Sequence, residues 1–170
     1  NIDMALKVNP TADKVVAILD DSVTADAERK NFYSAEAEYP ELEFSEINSS
    51  ELTTAQLQQA ISKVDDKTIL IYIVMSKDGS GKQYTSDQAV RMVVNYSKVP
   101  VYRMVEAGIG DGLLGGNVVS MYKSGEIAAQ MAMDIANGTD SAEINVVKDS
   151  PNIYCVDEDV CLLYTSDAAD

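Results

Sequence analysis

Short continuous apolar runs alternate along the chain with segments in which apolar residues recur every three or four positions. The continuous runs end in polar residues, a pattern typical of strands that are buried on both faces of a sheet. We predict strands at Lys14–Asp21, Leu42–Ile47, Thr68–Ser76, Val99–Val105 and Leu113–Met121, with a sixth at Ile144–Val147. The second run alternates apolar and polar residues, which indicates a position nearer to a sheet edge.

The spaced segments between these strands predict helices that cover the sheet. Two of them begin with a capping box, a threonine followed three positions later by a glutamine. We predict helices from Ile2 to Asn9, from Thr24 to Tyr39, after Thr53 and Gln56, from Thr85 and Gln88 to Ser97, and from Ser124 to Asn137 before Gly138. This alternation predicts an α/β fold, a Rossmann-like parallel sheet covered by helices on both faces. The last helix is expected to pack on that sheet.

The composition is that of a globular domain with a large excess of acidic residues. The 170 residues suit one domain, and 46% of them are apolar against 24% charged. The chain has 13 Lys and Arg and 28 Asp and Glu, so its net charge of −15 repels phosphates and no nucleic-acid partner is predicted. It has no histidine, which removes the Ser-His and Cys-His nucleophile pairs. We predict a protein without catalysis, cofactor or metal.

Polar residues follow every predicted strand. Ligands of open α/β sheets bind at the carboxyl ends of the strands, so these residues predict a binding rim. The candidate ligand-binding residues are Asp21, Ser22, Ser76, Asp78, Glu106, Ser120 and Tyr122. The alternative is that loops are polar in any case and that Asp21 or Ser22 caps a helix.

Three further features allow more than one interpretation. The segment Asp78–Gln83 lacks the first glycine and the Ser or Thr of a phosphate-binding loop, so it is a flexible turn or a mobile loop over a ligand. Gly115 and Gly116 allow a neighbouring strand, loop or ligand to approach the backbone closely. Arg103 either anchors an anionic ligand or pairs with one of the surplus acids.

Two other functions remain open from the residues alone. Asp20, Asp21 and Asp78 are similar to the acidic pocket of a phosphoacceptor receiver domain, in which Mg²⁺ offsets clustered carboxylates. That interpretation requires an Asp at the end of the third strand, whereas Asp78 lies later and Glu106 occupies the position of a Ser or Thr after the fourth. The second alternative is a small flavodoxin-like enzyme that uses carboxylates, lysine or tyrosine.

Residues 1–22 and 99–138 resemble the second half of the ABC-transporter substrate-binding-protein-like family. The matching motifs, in chain order, are Pro10–Val15, the V-P-V-Y run at Val99–Tyr102, the G-x-x-G-G run at Gly112–Gly116, and the helix Ser124–Ala132. These proteins have the two-lobed type I periplasmic-binding fold. The resemblance covers about residues 1–160, and the acidic loops are most similar to extracytoplasmic sensor domains of histidine kinases or diguanylate cyclases.

The resemblance implies reversible capture of a small solute between two lobes. Residues 1–160 would be the C-terminal lobe, the N-terminal lobe would be missing, and the last helix would cross to it. The implied location is extracytoplasmic, and the implied partner is an ABC permease or a membrane-bound kinase or cyclase. Residues 161–170, CLLYTSDAAD, continue no pattern and are similar to a translated cloning adapter, so we predict a non-native tail there.

Overall fold

A single six-stranded sheet forms the centre of the protein in the computed structural model, which describes residues 1–165. The strands are β1 Lys14–Leu19, β2 Glu43–Asn48, β3 Thr68–Tyr72, β4 Val101–Arg103, β5 Gly115–Val119 and β6 Asn152–Val156. Their order in the sheet is β2-β1-β3-β4-β5-β6. The first five run parallel, and β6 runs antiparallel to β5 at one edge.

Six α-helices accompany the sheet within residues 1–165. They are α1 Ile2–Val8, α2 Val23–Ser34, α3 Thr54–Ser62, α4 Ser86–Tyr96, α5 Met121–Ala136 and α6 Glu158–Thr165. Both predicted capping boxes are present, Thr53 with Gln56 and Thr85 with Gln88, and they begin α3 and α4. Short 3₁₀ turns lie at Ala35–Ala37, Ser49–Glu51 and Ser141–Glu143.

The hydrophobic core has two layers, one on each face of the sheet. On one face, α3 and α4 place Leu57, Ile61 and Val93 against the central strand β3. On the other face, α1 and α2 contribute Ile2 and Phe32 to a second cluster with Ile69 and Ile71. All five residues of β3 are buried because helices cover both of its faces. The predicted α/β class with helices on both faces is confirmed.

The structure corrects the sequence prediction at β5 and α5. The strand ends at Val119, and Ser120 caps a helix that already begins at Met121 and includes Tyr122. None of the residues of α5 is buried, so the prediction that this helix packs on the sheet is wrong. Its apolar positions instead adjoin the segment that follows it, including Ile144 and Val146.

The predicted sixth strand at Ile144–Val147 is also wrong. That segment is irregular, and Val146 is 81% exposed. The sixth strand is β6, in which Asn152 lies opposite Val119 in the register with β5. An edge strand is covered less than a central one, and its short alternating pattern therefore gives a weaker signal in the sequence.

The two glycines of β5 permit close backbone contact, as the sequence predicted. Gly115 has φ +102°, and a Cβ built on it would lie 2.1 Å from the carbonyl oxygen of Cys155 in β6. A Cβ on Gly116 would lie 2.1 Å from Oδ1 of Asn1. Only glycine fits these two positions.

The end of the chain is described in part. Residues 161–165 continue α6, and Val160 and Cys161 pack against the core cluster beneath α1 and α2. Residues 166–170 of the proposed tail lie outside the described residues. The non-native origin of residues 161–170 stays a prediction. Within residues 1–165, no helix has both the length and the apolar character needed to cross a membrane.

Candidate functional site

Asp20 fixes the geometry at the carboxyl edge of the sheet, directly after β1. Its side chain is fully buried and accepts hydrogen bonds from the backbone N–H of Ser22 at 2.9 Å and of Ser76 at 2.8 Å. The Ser76 hydroxyl also donates to Asp20. Burial raises the pKa of this carboxyl, but the hydrogen bonds from Ser22 and Ser76 outweigh burial and leave the pKa below its ordinary value. Asp20 therefore joins the loops that follow β1 and β3.

Asp21 and Ser22 begin the loop after β1 and have different environments. Asp21 is exposed and accepts hydrogen bonds from Asn48 Nδ2 at 2.8 Å and from Arg29 Nη2 at 3.3 Å. Ser22 is the N-cap of α2, and its hydroxyl accepts from the backbone N–H of Ala25 at 3.2 Å. The capping alternative is therefore correct for Ser22.

Asp78 organises the glycine-containing turn after β3. Its carboxylate accepts from the N–H and hydroxyl of Ser80 at 3.0 and 2.6 Å, from Lys82 N–H at 3.0 Å, and from the hydroxyls of Tyr84 and Thr54. Burial raises the pKa of Asp78, but the hydrogen bonds from these donors lower it by more and hold it well below its usual range. The carboxylate thus accepts hydrogen bonds both from the turn and from Thr54 of α3, so it stabilises the loop and joins it to that helix.

The remaining predicted residues lie after β4 and β5. Glu106 is half-buried, and its Oε2 accepts from the backbone N–H of Met121 at 3.2 Å. Ser120 is buried and caps α5 through the N–H of Lys123 at 3.3 Å. Tyr122 is 73% exposed on the first turn of α5. The structure thus places all seven predicted residues after strands at one edge of the sheet, and their contact with a ligand stays a prediction.

An open cavity of about 560 Å³ lies at the same edge, beside α2 and the ends of β3, β4 and β5. Its wall consists of Asn1, Thr24, Glu28, Asn31, Tyr72, Ile73, Val74, Arg103, Met104, Val105, Asn117, Val119, Ser150 and Asn152. We call it the edge cavity. It adjoins a smaller apolar cavity of about 250 Å³ between α1 and α2, and the two cavities share the wall residues Asn1, Glu28, Asn31, Ile73 and Met104. None of the seven predicted residues is part of the wall of the edge cavity.

Arg103 is a buried cation in the wall of the edge cavity. Its Nη1 donates to the backbone carbonyls of Tyr72 at 3.1 Å and Ile73 at 2.7 Å, and its Cζ lies 4.2 Å from the centre of the Tyr72 ring. Its Nε is buried and has no hydrogen-bond partner among residues 1–165. Burial lowers the pKa of the guanidinium, which nevertheless remains charged at neutral pH. Among the described residues it forms no ion pair.

Sequence reasoning missed most of the cavity wall for identifiable reasons. Thr24, Glu28 and Asn31 lie one turn apart on α2, where polar residues are expected on any solvent-facing surface. Asn152 belongs to β6, which was not predicted. Arg103 was the one detectable signal, because a charged residue inside a predicted buried strand is unusual.

The receiver hypothesis requires clustered carboxylates that the structure does not provide. The carboxylates of Asp20 and Asp78 accept hydrogen bonds from different loops, and Asp21 is bound to Arg29. Across residues 1–165, no group of three acidic, cysteine or histidine side chains is placed to hold a metal ion.

Comparisons with known proteins identify structural neighbours. No protein-family model matches the chain, and no curated protein matches it significantly. A Streptococcus pneumoniae structure described as an ABC domain in complex with L-Trp superposes with a TM-score of 0.67 and 17% identity over 96% of this chain and 53% of that one. A substrate-binding protein with adhesive properties from Clostridium difficile, in a ligand-free open structure, superposes with a TM-score of 0.65 and 19% identity, over 98% of this chain and 55% of that one. A conserved domain protein from Vibrio cholerae superposes with a TM-score of 0.55 and 14% identity, over 94% of this chain and 56% of that one.

These neighbours define the fold of the chain. It has a periplasmic-binding-protein-like fold, as the sequence motifs suggested. The chain spans about half the length of the structures it matches, 53% and 55% for the first two. The second of those proteins is described as a substrate-binding protein, and the first is bound to an amino acid, so neither description is that of an enzyme.

Proposed function

We propose that this chain is one lobe of an extracytoplasmic solute-binding protein and that the edge cavity receives part of the solute. The observation that carries the proposal is the position of this cavity, which opens at the carboxyl ends of β3, β4 and β5. Parallel α/β sheets bind their ligands at this edge. A volume of about 560 Å³ lies within the usual range of small-molecule sites.

The exposed helix α5 supports a second lobe. Met121, Tyr122, Met133 and Ile135 are 70%, 73%, 59% and 49% exposed, although a helix of this composition is normally covered. We propose that α5 packs against the N-terminal lobe and that the solute is enclosed between the two lobes. A structural neighbour bound to L-Trp supports a solute of about amino-acid size.

Capture by such a protein needs closure of the lobes and no covalent chemistry. Asp21 and Tyr122 are exposed at the rim and Glu106 is half-buried there, so in our proposal these side chains close over the bound solute. Closure brings the two lobes into one defined arrangement that a membrane partner recognises. We propose an ABC permease as that partner, with a membrane-bound kinase or cyclase as the alternative.

A thermal-unfolding screen of the chain against small solutes tests the proposal. The panel contains amino acids, their amides, sugars, nucleobases and small aromatic acids, with one well of Mg²⁺ and acetyl phosphate. A solute at about 100 times its dissociation constant should stabilise the folded chain by about 2.7 kcal/mol, a readily measured rise in Tm. A rise with Mg²⁺ and acetyl phosphate alone would support the receiver alternative and refute solute binding.

A pair of variants locates the binding site. Val119→Phe places a larger side chain in the wall of the edge cavity and should abolish the rise in Tm caused by the solute. Val156→Phe makes the same change on β6, where Val156 is 49% exposed and outside the cavity wall, and should leave that rise intact. An equal response of both variants would place the solute elsewhere.

A further inference from the structure

Arg103 holds a positive charge that forms no ion pair with any carboxylate of residues 1–165. The residue is only 7% exposed. The ion pairs among the described residues belong to Lys14, with Asp65, and to Arg29, with three carboxylates.

The partners that Arg103 does have satisfy only part of its guanidinium. Its Nη1 donates to two backbone carbonyls, and the ring of Tyr72 covers one side of the group. These contacts hold the side chain in one orientation at the end of β4. Its Nε has no acceptor, and no hydrogen bond within residues 1–165 uses Nη2.

A buried charge of this kind is costly without a counter-ion. Removing a guanidinium from water is unfavourable unless an anion and further hydrogen bonds replace the lost hydration. Two carbonyl dipoles and one aromatic ring supply a fraction of that replacement. The missing component is an anion with two acceptor oxygens in one plane, since that shape matches the fork of an arginine.

We propose that the solute carries a carboxylate that pairs with Arg103 in the edge cavity. The inference rests on the proposed function, because it names the chemical class of the solute that this cavity takes. Arg103 is part of the cavity wall together with Asn117 and Asn152, whose amides can bind the remaining polar atoms of the solute. The wall also contains Glu28, which favours solutes that carry a cationic group as well as the carboxylate.

The test compares acids with their primary amides, using the whole chain. The probes are the L-amino acids and L-amino-acid amides, together with benzoate and benzamide, and binding is measured by calorimetry. Each amino-acid amide retains the ammonium group that Glu28 attracts, so that pair isolates the carboxylate, and benzoate with benzamide makes the same comparison without an ammonium group. We expect at least one acid to bind about 10- to 100-fold more tightly than its amide, the usual effect of a hydrogen bond to a charged group.

Variants connect that preference to Arg103. Arg103→Met should abolish the difference between acid and amide, whereas Arg103→Lys should retain part of it because the charge remains. Arg91→Met removes an exposed arginine of α4 and should leave the difference unchanged. The NMR signal of the Arg103 Nε–H should shift on addition of the acid and not of the amide. This measurement uses the unmodified chain, so it does not depend on whether a variant folds.

The outcomes separate the two proposals. Equal binding of acid and amide by the unmodified chain, or an acid preference that survives in Arg103→Met, would overturn the role of Arg103 and leave solute binding intact. Binding only of solutes that have no carboxylate would also overturn the role of Arg103 and leave solute binding intact. The absence of binding by any probe in either class would contradict both the carboxylate inference and the proposed function.

Discussion

Asp20 and Asp78 show why single polar residues after strands are ambiguous signals. Both were predicted at the edge of the sheet, Asp78 as a ligand-binding residue and each as part of a receiver pocket. Each carboxylate instead accepts hydrogen bonds from its own loops and is buried. The same residue type that binds a ligand also stabilises the loop beside it, since a loop bent back on itself leaves backbone N–H groups in need of acceptors.

Replacing Asp78 with Asn should destabilise the protein. The substitution removes the charge from a carboxylate that accepts five hydrogen bonds and turns an NH₂ group toward donors. We expect the free energy of unfolding to fall by about 2–4 kcal/mol. Urea unfolding monitored by circular dichroism measures the change.

Asp66→Asn is the matched control for that change. Asp66 is exposed, and the substitution should alter the free energy of unfolding by less than about 0.5 kcal/mol. If Asp78→Asn proved as neutral as Asp66→Asn, the turn at residues 78–83 would not depend on its carboxylate.

At the level of the elements, α4 and α5 illustrate two outcomes of similar patterns. Both helices follow a strand, both have a side-chain N-cap, and both place apolar residues at helical spacing. Four residues of α4 are buried, Ala89, Val90, Met92 and Val93, and none of α5 is. The pattern shows that each helix has an apolar side, but it does not determine which surface of the molecule covers that side.

Hydrogen exchange should distinguish these two helices in the chain on its own. The amides of α4 should exchange only through global unfolding, because the helix is fastened to the core. The amides of α5 should exchange at least about 100-fold faster, since fraying exposes no buried surface. Exchange read out by NMR or mass spectrometry gives both rates in one sample.

A slow α5 would contradict this expectation. It would mean that another surface covers the helix in solution, and a dependence of the rate on protein concentration would identify a second copy of the chain as that surface. Joining the chain to an N-terminal lobe should slow exchange in α5 and leave α4 unchanged.

For the whole molecule, buried ionisable groups define the pH range of stability. The pKa values of Asp20 and Asp78 are lowered, in spite of burial, by hydrogen bonds from Ser22, Ser76 and Ser80. Burial raises the pKa of Tyr102 to about 12. Each group therefore binds protons differently in the folded and unfolded chains, and stability depends on pH wherever that difference exists.

We expect the free energy of unfolding to be highest at pH values between the titration of the two aspartates and that of Tyr102, and to fall at lower and higher pH. The aspartates contribute fully above their unfolded pKa of about 3.9, and the contribution is lost as the pH falls toward the lower folded values. Tyr102 contributes fully below its unfolded pKa of about 10, and this contribution is lost as the pH rises to about 12. Urea unfolding across pH 3 to 11 measures the profile.

Two variants assign the two sides of the profile. Asp78→Asn should reduce the loss of stability below about pH 4, and Tyr102→Phe should reduce the loss above about pH 10. Tyr102→Phe also removes a buried hydroxyl that has no hydrogen-bond partner in the part of the chain that the structure describes, so it should not destabilise the protein at neutral pH. An unchanged acid limb in Asp78→Asn would assign that limb to other carboxylates.

The amino-acid sequence alone determined the class of fold and the edge of the sheet at which the polar residues after the strands lie. Local signals carry that information, since a continuous apolar run such as that of β3 and a capping box such as Thr53 with Gln56 depend on neighbours in the chain. Only the tertiary structure decided that β6 forms at Asn152–Val156, that α5 does not pack on the sheet, and that Arg103 has no carboxylate partner among residues 1–165. These properties depend on contacts between residues distant in the chain, where the identity of one residue does not specify which group lies opposite it.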